Sequence, residues 1–251
     1  MPTRTSPLLR KIEAVLSLGD AERAFVARLE TDTRRIEARA DLVKQGERAG
    51  RMGVLRSGWA MRYKTLSDGR RHVINFVLPG DAFGLFGTLF DASDHSVAML
   101  TDGELAYVEA DTLVAMFHEH PKLAAAFAWF AAREEAMLAE RAAGLGRRTA
   151  LERMAHILLE LLKRLEVVAM ADDGRFELPV TQEILADTLG LSLVHVNRTL
   201  RRLREGGLLE TEGQRFWLRD LRALAEVADF DDLYLLLTRM PKRVLRRFET
   251  A

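Results

Sequence analysis

The stretch that restricts the fold of this chain most is residues 181–204, TQEILADTLGLSLVHVNRTLRRLR, which predicts two short helices joined by a tight turn. Thr181 is a favourable cap for the first helix, and Gly190 can take the left-handed conformation that ends it. Ser192 is suited to cap the second helix, whose apolar residues recur at helical spacing and are expected to point inward. These residues are Leu193, Val196, Leu200 and Leu203. The pattern is typical of a helix-turn-helix.

The opposite face of the second helix is mostly polar and basic. At about 100° per residue it carries Val194, His195, Arg198, Arg201 and Arg202, with Asn197 on its flank. From Arg198 to Arg204 there are four arginines and no acidic residue. Such a face can be merely solvated, but it also fits a recognition helix that reads base edges in the major groove of DNA.

The residues after this helix predict a small β-hairpin. Gly206 and Gly207 stop the helix, and residues 208–210 and 215–218 are expected to form strands around the turn 212–214. A helix-turn-helix followed by a hairpin is a winged helix, in which Arg215 could contact a phosphate. The hairpin favours DNA binding over a merely solvated face.

The charge of the chain limits how it could bind DNA. The 251 residues carry 37 basic and 37 acidic side chains, and residues 147–223 contain 13 Lys and Arg against 12 Asp and Glu. Affinity for DNA must therefore come from the local placement of charge. The absence of cysteine excludes disulfides, thiolate-bound clusters and a cysteine nucleophile.

The remaining composition predicts a soluble, cytoplasmic protein without a membrane partner, because no run approaches the roughly 18 apolar residues of a membrane span. No nucleophile–base pair, phosphate loop or metal-ligand spacing is visible in the sequence. We therefore expect neither enzymatic activity nor a metal site.

The N-terminal half changes pattern along its length. Residues 8–30 have helical spacing with a break at Gly19 and Asp20. From about residue 35 to 108, short apolar runs alternate with turn signals, as in an antiparallel barrel or roll. The runs on either side of Ser67-Asp68-Gly69 predict a hairpin.

After residue 120 the chain becomes helical. Pro121 suits the first turn of a long helix over 121–143, and Gly144 with Gly146 predicts a hinge before another helix over 148–169. The long helix has an apolar stripe that either packs on the barrel or forms a two-helix dimer interface, and we favour the dimer. The stripe consists of Leu123, Phe127, Phe130, Met137 and Leu138. Residues from 221 on are expected to be helical and end in a basic tail.

This order of parts resembles the Crp/Fnr family of bacterial transcription regulators. The resemblance covers residues 10–225 and is carried by LSDGRRHVINFVLPGDAFG, by the helix after Pro121 and by TQEILADTLGLSLVHVNRTLRRLREGGLLE. It implies an α+β fold with an N-terminal cyclic-nucleotide-binding-like β-roll, a long dimerisation helix and a C-terminal winged helix. The corresponding domains are a β-roll sensor with N-terminal helices (1–120), the dimerisation helix and hinge (121–146), the winged helix-turn-helix (147–223) and a helical extension (224–251).

The resemblance also implies an effector pocket, and the matching residues here depart from those of members that bind cyclic AMP. Those members use Gly-Glu-Leu for the ribose and Arg-Ser or Arg-Thr for the cyclic phosphate, whereas this chain has Gly84-Leu85-Phe86 and His95-Ser96. Leucine cannot accept a hydrogen bond, and histidine lacks the bidentate guanidinium fork. We expect no tight binding of cyclic AMP and no required cofactor; haem, another small molecule or no effector are the alternatives.

The recognition helix differs from that of well-known members at one position. The family arginine that donates to guanine matches Arg198, but the glutamate that accepts from cytosine is replaced by Val194. Val194 could instead contact a thymine methyl group, and His195 could donate to a base or phosphate.

The function predicted from the sequence is therefore a regulator that binds double-stranded DNA as a homodimer, with RNA polymerase as a further partner. The alternative is a ligand-binding regulatory module that acts through protein–protein contacts. The candidate DNA-binding residues are Thr181, Gln182, Ser192, Val194, His195, Asn197, Arg198, Arg201, Arg202 and Arg215.

Overall fold

The computed structural model describes residues 5–48, 50–85, 91–235 and 239–249, which form two compact units. The roll unit consists of the described residues up to Arg62, of Phe76–Glu134 and of residues 239–249. The winged unit consists of Tyr63–Asn75 and residues 135–235. Each unit is described by itself below.

Short strands separated by turn residues make up the N-terminal half, as the sequence predicts. They form two four-stranded sheets with the orders β1-β8-β3-β6 and β2-β7-β4-β5, and the registered pairs are antiparallel. The predicted hairpin is β4-β5, whose turn contains Gly69 at φ 84°. The strands are β1 Thr33–Ile36, β2 Asp41–Val43, β3 Met52–Ser57, β4 Ala60–Thr65, β5 Arg71–Val77, β6 Ala82–Phe83, β7 Ser96–Met99 and β8 Gly103–Val108.

Helices cover one side of the roll. The helices α1 Pro7–Val15 and α2 Asp20–Leu29 begin at Ser6 and Gly19, which confirms the predicted break between them, and α3 Ala110–Glu119 follows the last strand. Their apolar faces pack on strands β3 and β8 and on the start of the next helix. A second apolar cluster, which includes Leu55, Phe83 and Leu105, fills the space between the strands.

The long helix α4 spans Pro121–Arg147, and α5 spans Ala150–Val167. The prediction of a hinge at Gly144 and Gly146 is wrong, because the helix runs through both glycines. A glycine inside a helix lowers the stability of that helix by only about 1 kcal/mol relative to alanine. The chain breaks instead at Thr149, whose hydroxyl accepts from the backbone N–H of Glu152 while the Glu152 carboxylate accepts from Thr149 N–H. This capping box fixes the start of α5.

The rest of the winged unit is a helix-turn-helix followed by a hairpin. Helices α6 Gln182–Leu189 and α7 Leu193–Glu205 contact α5, and a four-stranded sheet has the order β11-β12-β10-β9. The wing strands β11 Leu209–Glu212 and β12 Arg215–Leu218 agree with the predicted hairpin to within two residues. Strands β9 Ala171–Asp172 and β10 Arg175–Glu177 were not predicted, and α8 Leu221–Ala228 completes the unit.

The C-terminal residues are divided between the two units. A 3-10 turn at Leu233–Leu235 lies in the winged unit, whereas helix α9 Lys242–Glu249 lies in the roll unit. There the backbone N–H of Met240 donates to Val15 O at 2.9 Å, and Val244 and Leu245 pack against the apolar core. Among the described helices, none combines the length and apolar character needed to cross a membrane.

Candidate nucleic-acid interface

The helix-turn-helix is held by the caps that the sequence predicts. The Thr181 hydroxyl accepts from Ile184 N–H at 3.3 Å, and the Ser192 hydroxyl accepts from His195 N–H at 3.3 Å. Gly190 has φ 61° and ends α6 in the left-handed conformation that glycine adopts without strain. Arg153 on α5 donates to Leu189 O at 2.6 Å, which fixes the end of α6. Local sequence and one contact from α5 thus set the turn.

One face of α7 is buried in the winged unit. Val196, Leu200 and Leu203 are buried as predicted, together with Thr199, whose hydroxyl donates to His195 O. Leu193 is 42% exposed, so its predicted inward position is wrong. Its angle on the helix is inward, but it is the first helical residue, and the neighbouring elements do not extend far enough to cover it.

The opposite face of α7 is exposed and basic. Val194 is 73% exposed, and the remaining residues predicted for this face are exposed as well. Arg201 lies 3.8 Å from Glu205, a weak exposed ion pair. Within the described part of the chain, no acidic oxygen lies within 4 Å of the Arg198 or Arg202 guanidinium. These two arginines are therefore available to an external anion.

Two polar residues of this face, His195 and Asn197, each have one side-chain nitrogen in contact with a nearby residue of the same segment. The Ser192 hydroxyl lies 2.7 Å from His195 Nδ1, which leaves Nε2 as the ring nitrogen available to DNA. Asn197 Nδ2 donates to Leu193 O at 3.1 Å, which leaves the Asn197 amide oxygen as an acceptor. The face therefore offers a mixture of donors and acceptors beside its apolar first turn.

The start of α6 is the second exposed part of the predicted interface. Thr181 and Gln182 are both exposed at this helix N-terminus. The free N–H groups and the dipole of a helix N-terminus favour a phosphate, although the Thr181 hydroxyl already serves as the cap. Gln182 has the more available side chain of the two.

The wing is less basic than the sequence suggests. Arg215 lies 3.8 Å from Glu212 and 4.0 Å from Glu177, and the Glu177 contact comes from strand β10. These acids offset the charge that Arg215 would offer to a phosphate. Arg204 joins the recognition helix to the wing by donating to Thr211 Oγ1 at 3.2 Å.

A tryptophan on the outer face of the wing sheet was not singled out in the sequence. Trp217 is opposite Arg175 on β10, whose guanidinium carbon is 4.0 Å from the ring centroid. The guanidinium carbon of Arg219 is 3.3 Å from the same centroid, and Arg219 also lies 3.4 Å from Glu210. These cation–π contacts stabilise the wing strands.

The hairpin tip formed by residues 63–75 is attached to the helix-turn-helix. Arg71 contacts one carboxylate oxygen of Asp187 on α6 through Nε at 2.8 Å and through Nη2 at 2.7 Å, and it lies over the ring of Tyr63. Arg141 on α4 donates to Ile74 O. The orientation of α6 therefore depends on the hairpin as well as on α5.

A buried charged cluster lies beneath the helix-turn-helix. Glu160 is fully buried and contacts Arg141 at 2.9 Å and Arg164 at 3.3 Å, and it accepts from the Tyr234 hydroxyl at 3.4 Å. Burial alone would raise the pKa of Glu160, but Arg141 and Arg164 outweigh it and hold that pKa below its usual value. The same burial and the Glu160 charge raise the pKa of Tyr234.

His156 borders this cluster and stacks on Tyr234 with ring centroids 5.5 Å apart. Burial, together with the charge of Arg148, holds the pKa of His156 below its usual value, so the ring is neutral near pH 7. No set of three His, Cys, Asp or Glu residues among the described residues is arranged to hold a metal ion.

The predicted effector-pocket residues are engaged within the roll unit. Gly84 has φ 72°, Leu85 packs against the apolar core, and Phe86 lies outside the described residues. His95 Nδ1 lies 2.7 Å from Asp94 Oδ1, and the Ser96 hydroxyl accepts from Gln45 N–H at 3.0 Å. His95 and Ser96 thus already have partners within the protein.

Only part of the α4 stripe that was predicted to form a dimer interface is exposed to a second chain. Leu123, Phe127 and Met137 are buried within the single chain, so their assignment to the interface is wrong. Leu123 and Phe127 belong to the core around α1 and α2, which the sequence spacing could not reveal. Phe130 is half-buried, and Leu138 is 42% exposed.

A neighbouring line of α4 residues, which shares Leu138 with the predicted stripe, is open to a partner. Its exposed or half-exposed residues follow one another at alternating spacings of three and four, the heptad pattern of a coiled coil. They are Ala128, Ala131, Glu135, Leu138, Ala142 and Leu145. Leu145 is 40% exposed, and the alanines would let a second helix approach closely. We call these six residues the α4 seam.

The roll, the long helix and the winged helix define a class: regulators that join a cyclic-nucleotide-binding-type domain to a DNA-binding domain. Family models agree with this description. A Cyclic nucleotide-binding domain matches residues 33–120, and a Crp-like helix-turn-helix domain matches residues 152–227.

Known proteins of this class are similar over most of the chain. The nitrogen fixation regulation protein FixK of Azorhizobium caulinodans is 34% identical over 173 residues, 68% of each chain. The transcriptional activator protein FnrL of Cereibacter sphaeroides is 28% identical, over 79% of this chain and 81% of its own. The structure of FixK2 from Bradyrhizobium japonicum has a TM-score of 0.70 at 28% identity and covers 78% of this chain and 96% of its own. The chain belongs to the Crp/Fnr family and is a DNA-binding transcription regulator, which confirms the predicted family and α+β fold.

Proposed function

We propose that this regulator acts as a homodimer on a two-fold symmetric DNA site and activates transcription in contact with RNA polymerase, without a requirement for cyclic AMP. The observation that carries the proposal is the exposed face of α7, on which Arg198 and Arg202 have no acidic partner within 4 Å among the described residues. Two such helices related by a two-fold axis read half-sites about one helical turn apart.

The α4 seam supports the homodimer. It is apolar except for Glu135, and it includes Leu138 and Leu145, which are exposed in the single chain. Parallel pairing of two α4 helices would remove these leucines from water, and burying a leucine side chain contributes about 2 kcal/mol. The arrangement supports the homodimer over the alternative, a ligand-binding regulatory module that acts through protein–protein contacts.

Two further parts of the proposal have separate support. Two observations support independence from cyclic AMP: Leu85 packs against the apolar core, and the His95 ring contacts Asp94. Activation is carried over from FnrL, which is named a transcriptional activator. If the roll has an effector, we propose a small molecule other than cyclic AMP.

Selection of bound sequences from a random pool of DNA duplexes tests the function directly. We expect a two-fold symmetric consensus that contains guanine in each half-site. The selection should be run with and without cell extract and with added cyclic AMP, which should leave the consensus and the affinity unchanged. Recovery of no enriched sequence under any of these conditions would contradict sequence-specific binding.

Replacing Arg198 with alanine is expected to lower affinity for the selected site by about 1–3 kcal/mol per half-site contact. The reason is the loss of a bidentate guanidinium contact to guanine, so discrimination at one base pair should disappear as well. Titration of the variant against the consensus and against all three substitutions at that base pair measures both effects. An equal loss on consensus and random DNA would show that Arg198 contacts only phosphate.

Arg201→Ala provides the comparison, because Arg201 lies farther along α7 and already has Glu205 as a weak partner. We expect its affinity to fall by a similar factor on every sequence, and the slope of log affinity against log salt to decrease by about 1 per protomer. Binding isotherms at four salt concentrations measure this slope. A loss confined to one base pair would reassign Arg201 to base reading.

A further inference from the structure

The first turn of the recognition helix is apolar and exposed in an otherwise polar face. Val194 is 73% exposed and Leu193 is 42% exposed, while the rest of the outward face consists of His195, Asn197 and the arginines. An isopropyl group in this position gains nothing from water. It becomes favourable only when a partner covers it.

Val194 and Arg198 lie on the same face, one helical turn apart. Four residues of helix span about 6 Å, and successive base pairs are about 3.4 Å apart along DNA. A recognition helix that places Arg198 on guanine therefore places Val194 within about two base pairs of it. Both side chains then face base edges in the same half-site.

The chemistry of the major-groove edges decides which base Val194 can read. The 5-methyl group of thymine is the only apolar group on those edges, whereas cytosine has only a hydrogen at C5 and, beside it, an N4 amino donor in the place of thymine O4. Valine has no acceptor for that donor, and covering it would leave a buried donor without a partner. The same side chain thus favours thymine and disfavours cytosine.

The polar side chains next to Val194 do not change its preference for thymine over cytosine. His195 Nδ1 lies 2.7 Å from the Ser192 hydroxyl, and the Asn197 amide nitrogen donates to Leu193 O. The Asn197 amide oxygen remains an acceptor, but it belongs to a side chain three residues farther along α7 that is held against the helix by its bond to Leu193 O. The residue is therefore free to select by shape and apolar contact alone.

We infer that Val194 is a specificity-determining residue that recognises the thymine 5-methyl group within about two base pairs of the guanine contacted by Arg198. This inference rests on the proposed binding of a two-fold symmetric DNA site, and it adds the chemical feature read beside Arg198.

Uracil substitution tests the inference, because it removes the methyl group and leaves pairing unchanged. Each thymine of the selected site is replaced by deoxyuridine, one symmetric pair at a time. Burying one methyl contributes about 0.8 kcal/mol, so one pair should lose affinity about fourfold per half-site and about 15-fold for the dimer. The other thymine pairs should change less than twofold.

Two variants assign the effect to Val194. With Val194→Ala, the uracil effect at the sensitive pair should shrink to about twofold or less, because alanine retains only a small part of the apolar contact. With Val194→Glu, cytosine at that position should be preferred over thymine, since a carboxylate accepts from the N4 amino group. Leu193→Ala is the matched control, which should keep the uracil effect.

The outcomes separate this inference from the proposed function. If wild-type protein selects a symmetric site but no thymine pair responds to uracil, the role of Val194 is overturned while DNA binding stands. A uracil effect that persists in Val194→Ala also overturns it, since another residue would then read the methyl. If wild-type protein selects no duplex at all, the proposed function itself fails.

Discussion

Leu138→Glu is expected to convert the dimer into a monomer and to lower affinity for the selected site by about 100-fold or more. Leu138 is 42% exposed and occupies the centre of the α4 seam, close to Glu135. In a parallel helix pair the two new carboxylates would lie against each other in an apolar contact, where like charges are strongly unfavourable. A monomer then loses the gain from holding two half-sites at once, which is typically 10²–10⁴.

Sedimentation equilibrium measures the mass, and titration of the selected site measures the affinity. Because the side chain is exposed in the single chain, the fold should survive, and circular dichroism with thermal unfolding checks this. Val114→Glu is the matched control: it makes the same change at a 55% exposed valine on α3, outside the seam. A dimeric Leu138→Glu protein with unchanged affinity would exclude the α4 seam as the interface.

The helix-turn-helix could be predicted from sequence because its determinants are local. Thr181, Gly190 and Ser192 each act within four residues of themselves, so the caps and the turn follow from the order of residues. The buried stripe of α7 was predicted for the same reason. The prediction that Leu193 points inward was wrong, because residue spacing gives the direction in which a side chain leaves the helix but not whether neighbouring elements cover it.

The dimer interface could not be predicted in the same way, because burial depends on residues distant in sequence. Phe127 and Leu138 belong to the same apolar stripe, yet only Phe127 is covered by the α1 and α2 core. Arg215 remains a predicted phosphate contact, but the sequence could not show that the fold places Glu177 4.0 Å from its guanidinium group. The β9-β10 hairpin was missed although Asp173-Gly174 is a turn signal, because strands of two or three residues are too short to show an alternation of apolar and polar residues.

The burial of charged residues also could not be predicted from sequence, as Glu160 shows. In sequence, Glu160 and Arg164 form an ordinary i,i+4 pair of the kind found on solvated helix faces. In the structure their side chains are 0% and 1% exposed, and Arg141 reaches the same carboxylate from α4. The pair therefore helps to hold α5 in place, and α5 in turn packs against α6, α7 and α8.

Glu160→Gln is expected to destabilise the winged unit by about 3–5 kcal/mol, the usual loss when one partner of a buried ion pair is removed. Gln keeps the shape but removes the negative charge that Glu160 places against the buried Arg141 and Arg164. Whole domains are stable by only about 5–15 kcal/mol, so part of the population should unfold at physiological temperature and DNA binding should fall accordingly. Denaturant unfolding followed by Trp217 fluorescence, in a Trp59→Phe and Trp129→Phe background, reports this unit.

The pH dependence of the loss identifies its electrostatic cause. The pKa of Glu160 is lowered in the folded chain, so the carboxylate stabilises the fold above its unfolded pKa of 4.5, and that contribution disappears as the pH falls through the lower folded value. The difference between wild type and Glu160→Gln should therefore be constant above pH 5.5 or so and shrink below about 4.5. Glu166→Gln on the same helix is the matched control, because its exposed pair with Lys163 at 3.2 Å should contribute less than about 1 kcal/mol. Equal stability of the two variants, or a Glu160 difference that does not change with pH, would show that the buried carboxylate acts by packing and not by its charge.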